Sequence, residues 1–450
     1  MGQVNPAEII ANSKFNKFHL SLLVWSFIII AFDGYDLVVF GTVVPVLIEE
    51  WNLTSVEAGA MGSYGLFGMM FGAIFFGTLA DRIGRKNVVA ITLIFFSLFT
   101  FLCGFAETPT LFSIFRFLAG LGLGGIMPNV IALLTDYAPK SMKSMIVSIV
   151  LCGYSIGGIL APLLGIFLMP TFGWESIFWV AGLPLLALPL MYKKLPETAS
   201  HLIRTGRKEE LLSTLSKVSP GSTFNQSDEI VELQATGTKV PVIGLFKDYR
   251  ALSTVMFWIA FFCCLLMVYG LNTWLPKLMI EAGYALNSSL GFLIALQSGA
   301  IIGTLIIGRL CDKYGSKKML VPMYASGAIA LTLLGFGGNM FVIYLLVAIA
   351  GAATIGAQNI VQAYVSQYYP ASVRSTALGM ASGIGRIGGM LGPILGGFLL
   401  SVALPIHMNF IAFAIPGLIA AIALALVPVK HASNEVYQSR TELEPQSETI

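Results

Sequence analysis

The stretch Phe32-Asp-Gly-Tyr-Asp-Leu37 places two acids, Asp33 and Asp36, inside an apolar run that extends from about Leu20 to Leu47. Residues three apart share one face of an α-helix, so both carboxyl groups are expected on the same side. A charged side chain at the centre of a bilayer costs about 2.5–3.5 kcal/mol on insertion scales. Two readings follow: the acids handle a proton, a cation or a ligand, or they form ion pairs with bases on a neighbouring helix.

The composition is that of an integral membrane protein. Charged residues are 11% of the 450-residue chain and hydrophobic residues 56%, whereas about a quarter of the residues in a soluble domain are charged. The five cysteines show no C-x-x-C spacing, which argues against a disulfide framework or a metal site. The sequence also shows no nucleophile–base set. We therefore expect a protein that is not an enzyme and that needs no metal or cofactor.

Apolar segments of about 20 residues predict an all-α protein with 12 transmembrane helices. The first segment is too long for a signal peptide and lacks a cleavage site, so we expect it to be retained. The predicted spans are 20–47, 56–80, 88–106, 110–136, 143–168, 174–192, 251–277, 287–311, 318–336, 340–368, 374–401 and 406–428. These define an N-terminal half (1–192), a cytoplasmic linker with one or two short helices (193–250), a C-terminal half (251–428) and a disordered tail (429–450).

The positive charges predict the orientation of the chain in the membrane. All but three of the 26 lysines and arginines fall in the termini or in the loops that follow even-numbered spans. The exceptions are Lys277, on the other side, and Arg116 and Arg386, inside spans. Because cytoplasmic loops carry an excess of lysine and arginine, both termini are predicted to be cytoplasmic.

An internal repeat relates the two halves at an offset of 231 residues. The residues that match at this offset include Pro45 and Pro276, Asp81 and Asp312, Gly84 and Gly315, Pro139 and Pro370, and Pro162 and Pro393. One register that persists from the first span to the fifth indicates two parallel six-helix halves. Transporters built in this way bind substrate at the interface of the repeats, near the bilayer midplane.

The buried charges do not follow the repeat. At the same offset each meets an uncharged residue: Asp33 meets Cys264, Asp36 meets Met267, Arg116 meets Val347 and Arg386 meets Ser155. Charges that only hold helices together have no reason to be confined to one half. Their asymmetry therefore predicts a function carried out once per molecule.

The loop Gly77-Thr-Leu-Ala-Asp-Arg-Ile-Gly-Arg-Lys86 resembles the signature between spans 2 and 3 of the major facilitator superfamily, and Gly308-Arg-Leu-Cys-Asp-Lys-Tyr-Gly-Ser-Lys-Lys318 is its second copy. The resemblance implies the 12-helix fold and a gate on the cytoplasmic side. An acid that ends span 2 can face the positive N-terminus of span 11, and loop arginines can reach Asp136. The predicted gating residues are Gly77, Asp81, Arg82, Gly84, Arg85, Lys86, Asp136, Gly308, Asp312, Gly315 and Arg374.

Asp33-Gly-Tyr-Asp36, followed by Phe40-Gly41 and Pro45, is similar to the first-span signature of the aromatic acid:proton symporter family. Gly62-Ser-Tyr-Gly-Leu-Phe-Gly-Met-Met-Phe-Gly72 is most similar to its benzoate-transporting branch. The resemblance implies proton-coupled uptake of an aromatic monocarboxylate, such as benzoate or hydroxybenzoate, by alternating access. It also implies that Asp33 and Asp36 are essential for proton coupling.

A mechanism follows from the positions of the buried charges. Arg386 lies twelve residues beyond Arg374, or about 18 Å along a helix, and thus near the middle of the bilayer. A guanidinium there suits a carboxylate substrate, or alternatively pairs with Asp33 or Asp36. We expect Arg116 to hold Asp36 rather than to bind substrate. Burial favours the neutral form of at least one aspartate, so a proton taken up there would release Arg386 for the anion.

An aromatic ring needs a flat apolar slot with a few polar edges. The candidate lining residues, besides Arg386 and Arg116, are Phe32, Tyr35, Tyr64, Tyr269 and Trp274, with Asn272, Gln297, Gln358 and Asn359 as polar edges. Tyr269 and Trp274 can equally be aromatic residues of the membrane interface.

Other functions remain open from the residues alone. These are uptake of another small organic anion, such as nicotinate or muconate, efflux by antiport, and sensing of aromatic acids at the membrane. In each case the expected partners are a small substrate and the lipid bilayer of a bacterial inner membrane. We expect no nucleic acid partner and a monomeric protein.

Overall fold

The long apolar segments fold into α-helices because, in lipid, every backbone N–H and C=O must find its partner within the segment. The computed structural model describes residues 3–221, 224, 229–230, 242–247, 249–429 and 432. The chain divides into two compact units, Met1–Leu53 with Tyr64–Ala235, and Thr54–Ser63 with Thr236–Ile450. The predicted tail, 429–450, lies outside the described residues apart from Val429 and Ala432.

The first six predicted spans all form helices, and five of them are continuous. They are α2 (Lys17–Glu50), α3 (Ser55–Ile83), α4 (Arg85–Cys103), α5 (Pro109–Tyr137), α6 (Lys143–Phe172) and a pair, α7 (Glu175–Val180) and α8 (Leu183–Lys194), in place of span 6. The break in span 6 falls at Ala181 and Gly182, just before Pro184 near the start of α8. Proline lacks an N–H, so Pro184 is readily accommodated in the first turn of α8, where the N–H groups have no partner within the helix.

The last six spans include one departure from α-helical geometry. They are α11 (Ala251–Glu281), α12 (Leu286–Tyr314), α13 (Ser316–Leu334), α14 (Met340–Gly351) joined to α15 (Ala357–Tyr368), α16 (Ala371–Ser401) and α17 (Ile406–Leu426). A π-helical segment, Ala352–Gly356, joins α14 to α15 within span 10.

The prediction of an all-α membrane protein with 12 spans is confirmed. In the described part of the chain, eleven helical segments are long and apolar enough to cross a membrane, and α13, with 19 residues, stands at the position of the remaining predicted span. The small parallel pair of β1 (Gln3–Val4) with β2 (Glu229–Ile230) was not predicted. Two-residue strands carry too little of a period-two pattern to be recognised in a sequence.

Short elements cover one end of the first unit. They are α1 (Pro6–Ala11), α9 (Ala199–Arg204) and α10 (Lys208–Val218). The described part of the predicted linker contains α9, α10 and a 3₁₀-helix, Val242–Phe246. The Asn16 side chain accepts a hydrogen bond from the N–H of Phe18 at 2.9 Å and donates to the Val218 carbonyl at 2.9 Å. One side chain thus caps the start of α2 and binds the end of α10.

Glycines allow α2 and α6 to pack backbone against backbone. A methyl group on Gly157 of α6 would overlap the carbonyl group of Ala31, and one on Gly34 of α2 would overlap the carbonyl group of Tyr154. Small residues at helix interfaces permit this close approach in membrane proteins. The contact fixes the helix that carries Asp33 and Asp36.

Gly157→Ala is therefore expected to destabilise the protein by about 1–3 kcal/mol, because the added methyl forces the two backbones apart. Gly379→Ala is the matched control, since no described atom lies within 4 Å of the added methyl. The control should be neutral, or stabilising by up to about 1 kcal/mol, through helix propensity alone. Thermal unfolding of both purified variants in detergent measures the difference, and equal midpoints would show that the α2–α6 contact is not tight.

Candidate functional site

A buried ion pair joins α2 to α5 in the first unit. Nη1 of Arg116 donates to both carboxylate oxygens of Asp36, at 2.9 Å each. The Thr100 hydroxyl, from α4, donates to Oδ1 of the same carboxylate at 2.5 Å. Asp36 is 1% exposed and Arg116 6% exposed. The expectation that Arg116 holds Asp36 agrees with this geometry.

The surroundings of Arg116 hold the guanidinium in place. Its carbon Cζ lies 5.8 Å from the centre of the Phe40 ring. A methyl group on Gly65 of α3 would lie 3.3 Å from Nη2, so only glycine leaves the guanidinium its full room. Nε of Arg116 is buried and has no hydrogen-bond partner among the described residues. The site therefore holds the charge by contact with Asp36 and an aromatic face rather than by a full set of hydrogen bonds.

Asp33 lies one turn before Asp36 on α2 and is 3% exposed. Tyr35, between them, points elsewhere, and its hydroxyl donates to the carbonyl of Ile177 at 2.6 Å. The ring of Phe32, half-buried, lies 6.2 Å from that of Tyr35. Both acids are thus buried, and Asp36 is ion-paired with Arg116 in this conformation. Their shared role in proton coupling stays a prediction.

The remaining aromatic candidates differ widely in exposure. Trp274 is fully buried and donates from Nε1 to the carbonyl of Pro393 at 2.7 Å, so it is not a residue of the membrane interface. Tyr269 is half-buried, and its ring packs closely against Gly389, where an added methyl group would overlap it. Tyr64 is 48% exposed. Their contact with substrate stays a prediction.

Polar candidates in the second unit form two pairs. Nε2 of Gln297 donates to Oδ1 of Asn272 at 2.9 Å, and both side chains are buried. Nδ2 of Asn359 lies 3.5 Å from the hydroxyl of Thr304. Gln358 and Arg386 are half-buried, on α15 and α16. The structure thus brings Asn272 and Gln297 together, on α11 and α12.

The predicted gating loop of the first unit centres on a residue that the sequence analysis did not select. Oε1 of Glu197 accepts hydrogen bonds from the backbone N–H groups of Arg85, at 2.9 Å, and Lys86, at 3.3 Å. Glu197 is buried. A carboxylate at this position compensates the unpaired N–H groups and the positive end of α4.

Other gating candidates lie near the contact between Glu197 and the start of α4, or in the second copy of the loop. Gly84 has φ +92° and Gly315 φ +95°, a conformation that side chains rarely adopt. Oδ2 of Asp136 accepts from the N–H of Ala199 at 2.7 Å rather than from a loop arginine among the described residues. Asp81 accepts a hydrogen bond from Arg204 through its backbone carbonyl.

The remaining gating candidates differ in their surroundings. A methyl group on Gly77 or Gly308 would meet no described atom within 4 Å. Arg82 is exposed and Arg374 half-buried, and the side chain of Asp312 lies outside the described part of the chain. Their role in gating stays a prediction.

Thr100, Phe40, Glu197 and the π-helical segment were missed from the sequence. A hydroxyl in an apolar span at the depth of Arg116 was the available signal for Thr100, and an acid directly after span 6 was the signal for Glu197. The π-helical segment left no signal, because α5 and the segment from α14 to α15 have the same length in the repeat.

The sequence profile of the Major Facilitator Superfamily matches residues 26–299 and 286–447. The chain therefore belongs to the Major Facilitator Superfamily and is a multi-pass membrane protein. Crystal structures agree on the fold. A D-xylose–proton symporter superposes with a TM-score of 0.70 at 17% identity, covering 93% of this chain and 100% of the symporter. A bacterial homologue of the human lysosomal transporter Spinster gives a TM-score of 0.69 at 16% identity, covering 93% and 99%.

Three relatives with similar sequences are named as transporters of small aromatic acids. The chain is 47% identical to the benzoate transport protein of Acinetobacter baylyi, over 94% of this chain and 93% of the relative. It is 37% identical to the gentisate transporter of Corynebacterium glutamicum (95% and 93%), and 33% identical to the 4-hydroxybenzoate transporter PcaK of A. baylyi (92% of each). The resemblance seen in the first-span motif is confirmed, as is the expectation of a transporter rather than an enzyme.

Asp36→Asn is expected to lower the free energy of unfolding by about 3–5 kcal/mol, because it leaves the buried Arg116 guanidinium uncompensated. The double variant Asp36→Asn/Arg116→Met removes both charges and should recover much of that loss. Thermal unfolding of the single variants and the double variant completes the cycle. Additive losses would show that the pair contributes no coupling energy.

Glu197→Ala is expected to cost about 1–2 kcal/mol, because α4 loses the carboxylate that caps its first N–H groups. Glu210→Ala is the control, since Glu210 forms an exposed ion pair with Arg207, and its loss should cost no more than about 0.5 kcal/mol. Equal unfolding midpoints for the two variants would contradict the capping role.

Proposed function

We propose that this protein is a secondary active transporter that takes up an aromatic monocarboxylate, such as benzoate or a hydroxybenzoate, together with protons. The substrate class is supported by the 47% identity to a benzoate transport protein across 94% of the chain. Relatives named for gentisate and 4-hydroxybenzoate support the same class, because each of these compounds is an aromatic ring with a carboxylate.

The observation that supports the coupling mechanism is the ion pair between Asp36 and Arg116. Protonation of Asp36 would break contacts at 2.9 Å from Arg116 and leave a buried cation. We therefore assign Asp36 to holding Arg116 in this pair. Asp33 is equally buried and lies on the same helix, and we assign it the proton. A carboxyl group can take up and release a proton, so Asp33 can carry one through the cycle.

The substrate carboxylate needs a cation of its own. Arg116 is paired with Asp36, and we assign the substrate carboxylate to Arg386, a half-buried base inside a span that has no charged counterpart in the repeat. A guanidinium offers two parallel donors to a carboxylate, and this geometry favours arginine over lysine. A proton on Asp33 and an anion on Arg386 enter together without adding net charge, which lowers the cost of moving the loaded transporter through an apolar medium.

The orientation belongs to the same proposal. The lysines and arginines of the termini and of the loops after even-numbered spans support a cytoplasmic location for both ends of the chain. The protein then works as a monomer in the inner membrane of a bacterium. Protons are the coupling ion, and no metal or organic cofactor takes part.

Nicotinate is a second candidate substrate. The chain is 30% identical to a niacin transporter of A. baylyi over 93% of its length. Nicotinate is also a flat ring with one carboxylate, and differs from benzoate by a ring nitrogen that accepts hydrogen bonds. Unlabelled nicotinate and unlabelled benzoate are compared as competitors of labelled benzoate uptake. Stronger inhibition by nicotinate than by benzoate would favour the second candidate.

Asp33→Asn is expected to abolish accumulation of labelled benzoate against its gradient, because the amide cannot carry the proton. Exchange of labelled for unlabelled benzoate at equal concentrations should persist, since it needs no net proton transfer. Proteoliposomes with an imposed pH gradient, with and without a protonophore, provide the measurement.

Ser26→Ala is the control for this experiment, because Ser26 is a buried polar residue two turns before Asp33 on the same face of α2. It should accumulate benzoate like the wild type. Accumulation by Asp33→Asn that a protonophore still collapses would remove Asp33 from the coupling mechanism.

A further inference from the structure

The orientation of the buried amide pair is determined by its own hydrogen bonds. Nδ2 of Asn272 donates to the carbonyl of Val268, one turn earlier on α11, at 2.7 Å. Oδ1 of Asn272 therefore faces Gln297, which must present its NH₂ group, and the two atoms lie 2.9 Å apart. A flipped Gln297 would place two carbonyl oxygens against each other. Oε1 of Gln297 consequently points away from Asn272.

That oxygen is the unsatisfied atom of the pair. Gln297 has 0% exposure, and its Oε1 has no hydrogen-bond partner among the described residues. Buried polar atoms are nearly always hydrogen-bonded, and an acceptor left without a donor pays its full desolvation penalty. An atom held in this state by two neighbouring helices is set to receive a donor from outside the protein.

The polar groups around Gln297 are absent from the repeat. At the offset of 231, Gln297, Asn272, Thr304 and Asn359 correspond to Leu66, Gly41, Ala73 and Pro128. Thr304 lies seven residues after Gln297, on the same face of α12 and about 10 Å away. A scaffold function would be needed in both halves, whereas these side chains occur only in the second. Polar residues inside the membrane are costly and often functional.

The backbone beside this face is irregular as well. Gly351, at the start of the π-helical segment, packs against the carbonyl of Leu296, and Gly303 packs against Ala352. The corresponding residues of the first unit, 121–125, continue as α-helix within α5. Short π-helical insertions within α-helices occur frequently at functional sites. The irregular segment thus packs against α12 at Leu296, the residue before Gln297 in the sequence.

We propose that Oε1 of Gln297 accepts a hydrogen bond from a hydroxyl or amino group on the ring of the substrate. This inference rests on the proposed function and predicts that, among aromatic monocarboxylates, those with a ring hydrogen-bond donor are preferred over benzoate and other rings without one. An unsubstituted, fluorinated or methoxylated ring brings no donor and leaves the oxygen unpaired. Sites built to bind a substrate hydroxyl reject analogues that lack it far more strongly than apolar pockets reject a missing methylene.

The test compares pairs of substrates of similar size in proteoliposomes. Initial uptake rates are measured for the 2-, 3- and 4-hydroxybenzoates and for the fluorobenzoates with the same substitution. For at least one position, wild type should favour the hydroxyl compound by about tenfold in kcat/KM. Gln297→Met keeps the length of the side chain and removes the acceptor, and should bring that ratio to within about twofold while fluorobenzoate uptake persists.

Ser289→Ala is the matched control, because Ser289 is another buried residue of α12 whose hydroxyl has no described partner. It should keep the wild-type ratio. A wild-type ratio near one at every position would overturn the inference, even if Gln297→Met failed to fold. A ratio unchanged in a folded Gln297→Met would overturn it too, while proton-coupled uptake would stand. Absence of uptake of any aromatic acid by wild type would overturn both proposals.

Discussion

The buried contact between Asp36 and Arg116 constrains how α2, α4 and α5 pack in the first unit. Neither charge can remain alone in an apolar span, so α2 and α5 must meet at one height, and Thr100 brings α4 to the same point. The short approach is possible because Gly65 leaves room for the guanidinium. Close packing of α2 on α6 through Gly34 and Gly157 then fixes the rotation of α2. The exposure and direction of Asp33 follow from that rotation.

The two units use different polar chemistry on similar helices. The first carries a charged pair and a further buried acid, and the second carries neutral amides together with the half-buried Arg386. Symmetric helices therefore support asymmetric chemistry, which is what coupling of two different solutes requires. A proton is handled by carboxyl groups, whereas an aromatic carboxylate needs a guanidinium, a flat surface and hydrogen-bond partners for ring substituents.

Residues of the linker and of the N-terminal segment supply hydrogen bonds to the ends of helices in the first unit. Glu197, just after α8, caps the start of α4, and Asn16 joins the start of α2 to the end of α10. A displacement of either short segment would expose helix ends that are now satisfied. These short elements thus hold the ends of the helices that bear the predicted gating signature and the acids to which we assign proton coupling.

The sequence alone determined the fold class, the number of spans and the family, because each depends on local patterns. Apolar runs of span length set the helices, and repeated prolines and acids at one offset set the two halves. The choice of Arg116 as the partner of Asp36 was also accessible, because few bases lie inside spans. The tertiary structure decided the rest. Which amide faces which, the carboxylate cap supplied by Glu197 and the π-helical segment in span 10 depend on packing between distant residues, which periodicity does not encode.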